Sequence, residues 1–318
     1  MRKVILDVDT GIDDSLAIAY LLSRPEAEVL GITTSFGNVL IETAYRNTVD
    51  LLNVLKRNDV KVYRGAAHAL NETGYELRPG KKRVHGDNGI GNVQLSRADV
   101  REEEKEASDF LAEAALKYGE ELTIIAVGPM TNLVRAYQKQ PEAIARTKIV
   151  IMGGALTVPG NTTPFAEANI YADPEAARIL FEADLHVTMI GLDVTHQTMI
   201  TGKDLDVWKK YDNEASRALC AMSAYYYQNE GDCAKGAFGC LHDPLAVEAA
   251  LNPEIISNYF SCDLTVDTEG ISAGRTTGQR ELTYKGPRKT KVALEVHEDE
   301  FVAKFTESVA DLLSKIRD

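Results

Sequence analysis

Apolar residues fall along this chain in two alternating rhythms. Short, nearly continuous runs have the length and β-branched content of buried strands: VILDV at 4–8, AEVLGITTS at 27–35, VKVYRG at 60–65, LTIIAVG at 122–128, KIVIMGG at 148–154 and LHVTMIGLDV at 185–194. Between them apolar positions recur at helical spacing over 14–23, 41–56, 105–118, 131–139 and 174–183, several opened by a polar residue or a proline. This βαβ rhythm predicts an α/β fold, with a largely parallel, Rossmann-like central sheet covered by helices on both faces. After residue 195 the rhythm weakens to a helical region over 203–230 with a tyrosine run, turns between antiparallel strands over 268–280, and a last helix. In that helix Phe301, Phe305, Val309 and Leu312 form a core-facing stripe. No linker interrupts the pattern, so residues 1–318 are expected to form a single domain.

Ligands of such sheets sit beyond the carboxyl ends of the strands, and polar residues collect there. Asp7, Asp9, Asp13 and Asp14 follow the first run, Asn38 the second, VGPMTN the fourth and MGGAL the fifth. Crowded carboxylates raise one another's pKa unless a cation or a proton-transfer role holds them, and a hard divalent ion is the simplest resident. Helix capping explains Asp13 or Asp14 singly, not four aspartates, and Asp7 is the most structural of them. In LHDPLAV, His242 and Asp243 precede a proline suited to a helix start. Asp243 also reads as a plain N-cap, as Asp173 does before Pro174, and the adjacent histidine tilts the reading towards chemistry. Asn161, Glu167 and Asn169, in and after the loop PGNTTP, suit a polyhydroxyl ligand.

A net charge of −13 disfavours a nucleic acid polymer as partner and leaves small neutral substrates open. No stretch approaches the roughly 18 apolar residues of a membrane span. The opening MRKVILDVDTG meets aspartates before a signal-type core could form, so no membrane association and a cytoplasmic location are expected. Cys220, Cys233, Cys240 and Cys262 contain no C-x-x-C pair and read as reduced, structural residues.

With these pieces in place the chain resembles the nucleoside hydrolases, the inosine-uridine-preferring ribohydrolases, from end to end. LDVDTGIDD, TTSFGN, HGDNGIGN, VGPMTNL, IMGGA, EANIYADPEAA, GLDVTHQ and HDPLAV each correspond to a family block, in order. The resemblance implies the nucleoside hydrolase fold and a Ca2+ ion held by Asp9, Asp14, the backbone carbonyl of Val127 and Asp243, with water and two ribose hydroxyls completing the shell. Calcium accepts such a mixture of carboxylates and carbonyls. By the same resemblance Asp9 is the general base on a water at the ion, and Asp13 accepts the ribose 2′-hydroxyl. Asn38, Asn161, Glu167 and Asn169 make the remaining sugar contacts, His242 assists the departing base, and His85 faces the nucleobase as in pyrimidine-handling members.

The implied reaction is inverting hydrolysis of the N-glycosidic bond through an oxocarbenium-like state, giving ribose and free base. A role in nucleoside salvage and a homo-oligomer, dimer or tetramer, follow from the resemblance. Two positions depart from the family pattern: Thr10 stands where proline is usual, and Ala168 where phenylalanine is usual, which widens the pocket wall. Trp208, the single tryptophan, lies in a helix-like stretch, so the purine-stacking tryptophans of one branch have no counterpart. Tyr225, Tyr226 and Tyr227 occupy the place of base-pocket tyrosines, of which helical geometry lets one or two face a ligand. Uridine, cytidine, inosine or a modified ribonucleoside is the expected substrate. His68, His186 and His297 read as surface or strand residues and His196 as structural.

Two rival readings use the same aspartates. A haloacid-dehalogenase-type phosphatase needs D-x-D-x-T, but counting from Asp7 the threonine position holds Gly11, with Thr10 one place early. A non-catalytic calcium or ribose-binding module has no use for His242 beside the metal.

Overall fold

Asp9 lies at the centre of the molecule because β1 (Arg2–Val8), the strand that delivers it, is an inner strand of the main sheet. The computed structural model describes residues 1–99, 103–229, 239–278 and 290–317. Within them β2 (Ala27–Thr34), β3 (Val62–Arg64), β4 (Leu122–Ala126), β5 (Lys148–Met152) and β6 (Val187–Ile190) each fall inside one of the apolar runs. Further along come β7 (Met199–Ile200), β8 (Gly239–Cys240), β9 (Ile256–Cys262), β10 (Leu264–Val266), β11 (Thr276–Gly278) and β12 (Thr290–Val296). The main sheet has the order β3-β2-β1-β4-β5-β6-β12-β9, and every pairing in it is parallel except that of β12 with the edge strand β9. The expected α/β architecture with a mostly parallel, Rossmann-like sheet is the one observed.

Helices Ile12–Ser23, Ile41–Val54, Ala107–Tyr118, Thr131–Lys139 and Pro174–Glu182 begin and end within two residues of the predicted ranges. Alternation along β1 decides what each face of the sheet packs against. Val4, Leu6 and Val8 join the core beneath helices Ile12–Ser23, His242–Leu251 and Glu298–Lys315, whereas Ile5 faces the opposite layer with Leu111, Leu133 and Leu180. Trp208 is fully buried and donates its indole N–H to the Thr306 carbonyl at 2.9 Å, so it belongs to the core.

Three expectations need correction. The run 185–194 is strand only to Ile190; residues Leu192–Thr195 turn into a short helix, because Asp193 accepts the backbone N–H groups of Leu156 and Thr157 and folds the chain back. Region 203–230 splits into Gly202–Trp208 and Glu214–Asn229, with Asn213 bonding the Leu313 carbonyl at the break. Cys220 and Cys262 are thiols as expected, but Cys240 is disulfide-bonded. A pairing set up by the fold leaves no C-x-x-C signature. Cys233 and residues 279–280 of the expected turn region lie outside the described residues. No helix among the described residues is long and apolar enough to cross a membrane.

The chain runs outward from β1 through β2 and β3, then returns to the other side of β1 with β4. That reversal opens a crevice at the carboxyl ends of β1 and β4, where Asp9 and Val127 emerge.

Candidate active site

The floor of the crevice is built by the turn from β1 into helix Ile12–Ser23. Asp14 accepts the backbone N–H of Asp9 at 3.0 Å and of Gly11 at 2.8 Å, which fixes the loop around its carboxylate. Asn38, just past β2, donates its backbone N–H to Asp9 Oδ2 at 2.5 Å, and its side-chain amide reaches Asp9 Oδ1 at 3.2 Å and Asp14 Oδ2 at 3.0 Å. Gly37 permits that approach: it has φ +150°, and a Cβ there would lie 2.1 Å from Asp9 Oδ2. Helix His242–Leu251 brings Asp243 in from the distant end of the chain, so that one oxygen each of Asp13, Asp14 and Asp243 lies within 4.8 Å of the others.

Asp9, Asp14 and Asp243 are at most 1% exposed. Burial and the neighbouring charge of Asp14 push the Asp9 carboxyl well above the ordinary range. Burial, then Asp13, Asp14, Asp9 and Glu167, do the same to Asp243, and burial raises Asp14. Both Asp243 oxygens are buried with no hydrogen-bond partner among the described residues. Buried acceptors cost free energy unless satisfied. Hard oxygen donors converging on one point fit a divalent cation of the calcium type.

Above this floor is a cavity of about 330 Å³, and eight of the expected residues line it: Asp13, Asn38, His85, Val127, Asn161, Glu167, Asn169 and His242. Asp9, Asp14 and Asp243 lie directly beneath, so all eleven converge. Glu167 caps helix Ala168–Ala172, accepting from Asn169 N and Ile170 N, and also receives Gly154 N at 3.0 Å. Asn169 donates to the Val127 carbonyl at 2.7 Å, leaving that oxygen its second lone pair, and Asn161 accepts the Ala168 N–H.

Two histidines stand at one end. The backbone N–H of Ile12 points at His85 Nδ1 at 3.2 Å. A backbone amide can only donate, so Nδ1 is the acceptor and the ring proton sits on Nε2. Burial, Lys81 and His242 hold the His85 pKa well below its usual value, in keeping with a neutral ring. His242 Nδ1 meets the Thr195 hydroxyl at 2.7 Å. Tyr226 lies 5.7 Å from the His85 ring and lines the cavity, whereas Tyr225 packs on Gly91, so the helix presents one tyrosine of the run to the pocket.

Comparison with known proteins agrees with this geometry. Residues 4–303 match the inosine-uridine preferring nucleoside hydrolase family. The chain belongs to this family. It is 38% identical over 279 residues to a probable uridine nucleosidase 2 of Arabidopsis thaliana, covering 86% of this chain and 85% of that one. A pyrimidine-specific ribonucleoside hydrolase of Salmonella typhi is 36% identical over 84% of this chain and 85% of its own length. Among solved structures, a purine-preferring ribonucleoside hydrolase from Gardnerella vaginalis superposes with a TM-score of 0.95 at 40% identity, over 99% of this chain and all of that one.

For a nucleoside hydrolase, the phosphatase-like reading of the first motif fails on direction as well as register. Asp7 points to the opposite face of the sheet, where one oxygen accepts Thr33 Oγ1 at 2.6 Å and Asn132 Nδ2 at 2.8 Å. Sequence reasoning passed over the pocket's roof. Tyr75, Arg78, Lys81 and Arg83 line the cavity, Lys81 bonds Asn38 Oδ1 and the Tyr75 hydroxyl bonds the Gly37 carbonyl. The cation-rich string RPGKKR at 78–83, separated from His85 by Val84 alone, was the available signal. Thr195, and His196 edge-on to the His242 ring at 5.8 Å, were also missed, because only the fold brings them to residue 242.

Proposed function

We propose that this chain is a calcium-dependent ribonucleoside hydrolase of pyrimidine preference, acting as one domain over residues 1–318. The observation that carries the reading is the convergence of Asp13, Asp14 and the unsatisfied Asp243 beneath a nucleoside-sized cavity. Asp9, Asp14, Asp243 and the Val127 carbonyl would hold the ion, which when bound supplies positive charge to orient and polarise the sugar hydroxyls and the attacking water. Asp9 accepts the proton of that water. Asp13 takes the 2′-hydroxyl, while Asn38, Asn161, Glu167 and Asn169 hold the rest of the ribose.

Cleavage places positive charge on the ring and negative charge on the departing base. The carboxylate floor stabilises the first, and protonation by His242 answers the second. In the imidazolium form Nδ1–H donates to the Thr195 hydroxyl, and the proton on Nε2 is the one free to transfer. His85 offers an N–H to a carbonyl-bearing base, which favours uracil, cytosine and hypoxanthine. Trp208, buried elsewhere, leaves no indole platform for purines. Relatives named for uridine and pyrimidine agree with this preference, whereas the relative from Gardnerella vaginalis is named for purines.

The test is ribose release from uridine, cytidine, inosine and adenosine, before and after chelation and after calcium is restored. Uridine turnover that is lost on chelation and regained with calcium is expected, and His242→Ala slows some bases more than others. Preferred hydrolysis of adenosine, or activity indifferent to chelation, overturns the reading.

A further inference from the structure

The two histidines at the base end differ in what their Nδ1 atoms meet. His85 Nδ1 faces the backbone N–H of Ile12 at 3.2 Å, a group that can only donate, so that nitrogen stays an acceptor. His242 Nδ1 faces the Thr195 hydroxyl at 2.7 Å, a group that donates or accepts. Thr195 is fully buried while His242 lines the cavity, so the hydroxyl reaches a ligand only through the ring. With Nδ1 held inside the protein, the ring edge left for the cavity carries Nε2.

The motif GLDVTHQ at 191–197 is built to put that hydroxyl there. Asp193 anchors the turn through the N–H groups of Leu156 and Thr157, and the Thr195 N–H donates to the Gly191 carbonyl at 3.0 Å. Three residues on, the Thr198 carbonyl accepts the Leu241 N–H at 3.0 Å, and β7 pairs with β8 just before His242, which sets the register of the two segments. His196 packs edge-on against the His242 ring at 5.8 Å. Backbone anchors on both sides thus fix a hydroxyl against a ring 47 positions away.

We infer that Thr195 is a positioning residue for the leaving group: it holds the His242 ring with Nε2 towards the base, and so decides how well bases too basic to leave as anions are cleaved. The inference rests on the nucleosidase reading. As the C1′–N bond breaks, its electron pair goes to the base and the Nε2 proton follows, while a water oxygen bonds to C1′ and one water proton goes to Asp9. His242 ends neutral, its remaining proton on Nδ1 and still donated to Thr195, so the hydroxyl bond survives the transfer. A donor-only partner, as at His85, does not allow this.

The experiment compares uridine with 4-nitrophenyl riboside, whose leaving group departs as a stable anion and needs no proton. The calcium-loaded native chain, His242→Ala, Thr195→Val and Thr195→Ser are assayed for kcat on both. The ratio of nitrophenyl riboside to uridine kcat should rise by about tenfold or more in His242→Ala and in Thr195→Val, and Thr195→Ser should return it to within about threefold of native. In the double variant the threonine change should add nothing to the histidine change, because one acts through the other. Equal loss on both substrates in Thr195→Val means a merely structural role and overturns the proposal, as does a full further loss in the double variant. A ratio that rises in His242→Ala alone also overturns it and leaves the nucleosidase reading intact. A ratio unchanged in His242→Ala overturns the acid role of His242, and the proposal with it. No ribose from uridine in the native chain overturns both readings. Where Thr195→Val does not fold, Thr195→Ala, which adds no atom to the site, carries the same expectations.

Discussion

The floor and the roof of the pocket are made by opposite means. On the floor, Asp9, Asp14 and Asp243 are buried acids delivered by strand ends and a helix from the far end of the chain, and backbone amides hold Asp9 and Asp14. The roof is the segment through helix Pro79–His85, whose seven residues are too few to be stable alone. It is tied to the floor by three bonds: Tyr75 to Gly37, Lys81 to Asn38, and Ile12 to His85. A floor locked into the sheet can keep charges in geometry to well within an ångström, as bond-making requires. A roof held by a few polar contacts is cheaper to displace than the floor, which suits the entry of a substrate. The difference assigns reaction to one and choice of substrate to the other.

The largest expected effect comes from breaking the floor. Asp9→Asn removes a proton acceptor as well as a charged calcium ligand, so kcat for uridine should fall by about a thousandfold even at saturating calcium, within the range for general base catalysis. Asp243→Asn should instead shift the calcium titration to higher concentration, because an amide offers one neutral oxygen in place of a carboxylate. Steady-state kinetics across a calcium series separates the two. Wild-type rates in either variant would mean that the floor is scaffolding.

Stability should report the buried carboxylates, Asp7 behind the floor included, next. Asp7 has its pKa pushed up to about 7 by burial, against 3.8 for an ordinary aspartate. A raised pKa means that the folded state binds the proton more tightly than the unfolded chain, so this stabilisation is complete below about pH 4 and is lost as pH rises towards 7. Asp9, Asp14 and Asp243 shift in the same direction. The chelated protein should therefore lose Tm between pH 4 and 7, and calcium should raise Tm more at pH 8 than at pH 5. Asp7→Asn keeps an oxygen to accept from Thr33 and Asn132 and removes the titration, so its slope should be shallower. A Tm that climbs with pH after chelation would contradict the burial argument.

The same division explains what could be read from the sequence. Six of the main sheet's eight strands were legible because each apolar run had to become a buried strand, and the floor because a cluster of aspartates at one strand's end has few peaceful explanations. Asp243 was legible only through its motif, since nothing local in LHDPLAV distinguishes an N-cap from a ligand. The structure supplies the difference, two buried oxygens with no proton donor among the described residues. Residues of the roof act through contacts tens of residues away: Tyr75 is 38 positions from Gly37, and Lys81 43 from Asn38. Periodicity carries no trace of such bonds. The disulfide at Cys240 was missed for the same reason, as a pairing made by the fold.

The smallest effect tests the roof alone. Tyr75→Phe deletes the hydroxyl that binds the Gly37 carbonyl and keeps the ring against Phe36, 4.7 Å between centroids. One such bond contributes about 1 kcal/mol, or roughly a fivefold change in the closed population. Because Tyr75 holds the roof and touches neither Asp9 nor the base end through a hydrogen bond, the loss should enter as a rise of about fivefold in KM for uridine with kcat nearly constant. A matching fall in kcat would place the roof inside the chemical step, and the separation of reaction from selection would collapse. Burial and the nearby charge of Asp9 push the Tyr75 phenol up to about 12, so the hydroxyl stays protonated and donating across the working range. The KM difference between Tyr75→Phe and the native chain should therefore be flat from pH 6 to 9, unlike any effect that arises from the floor.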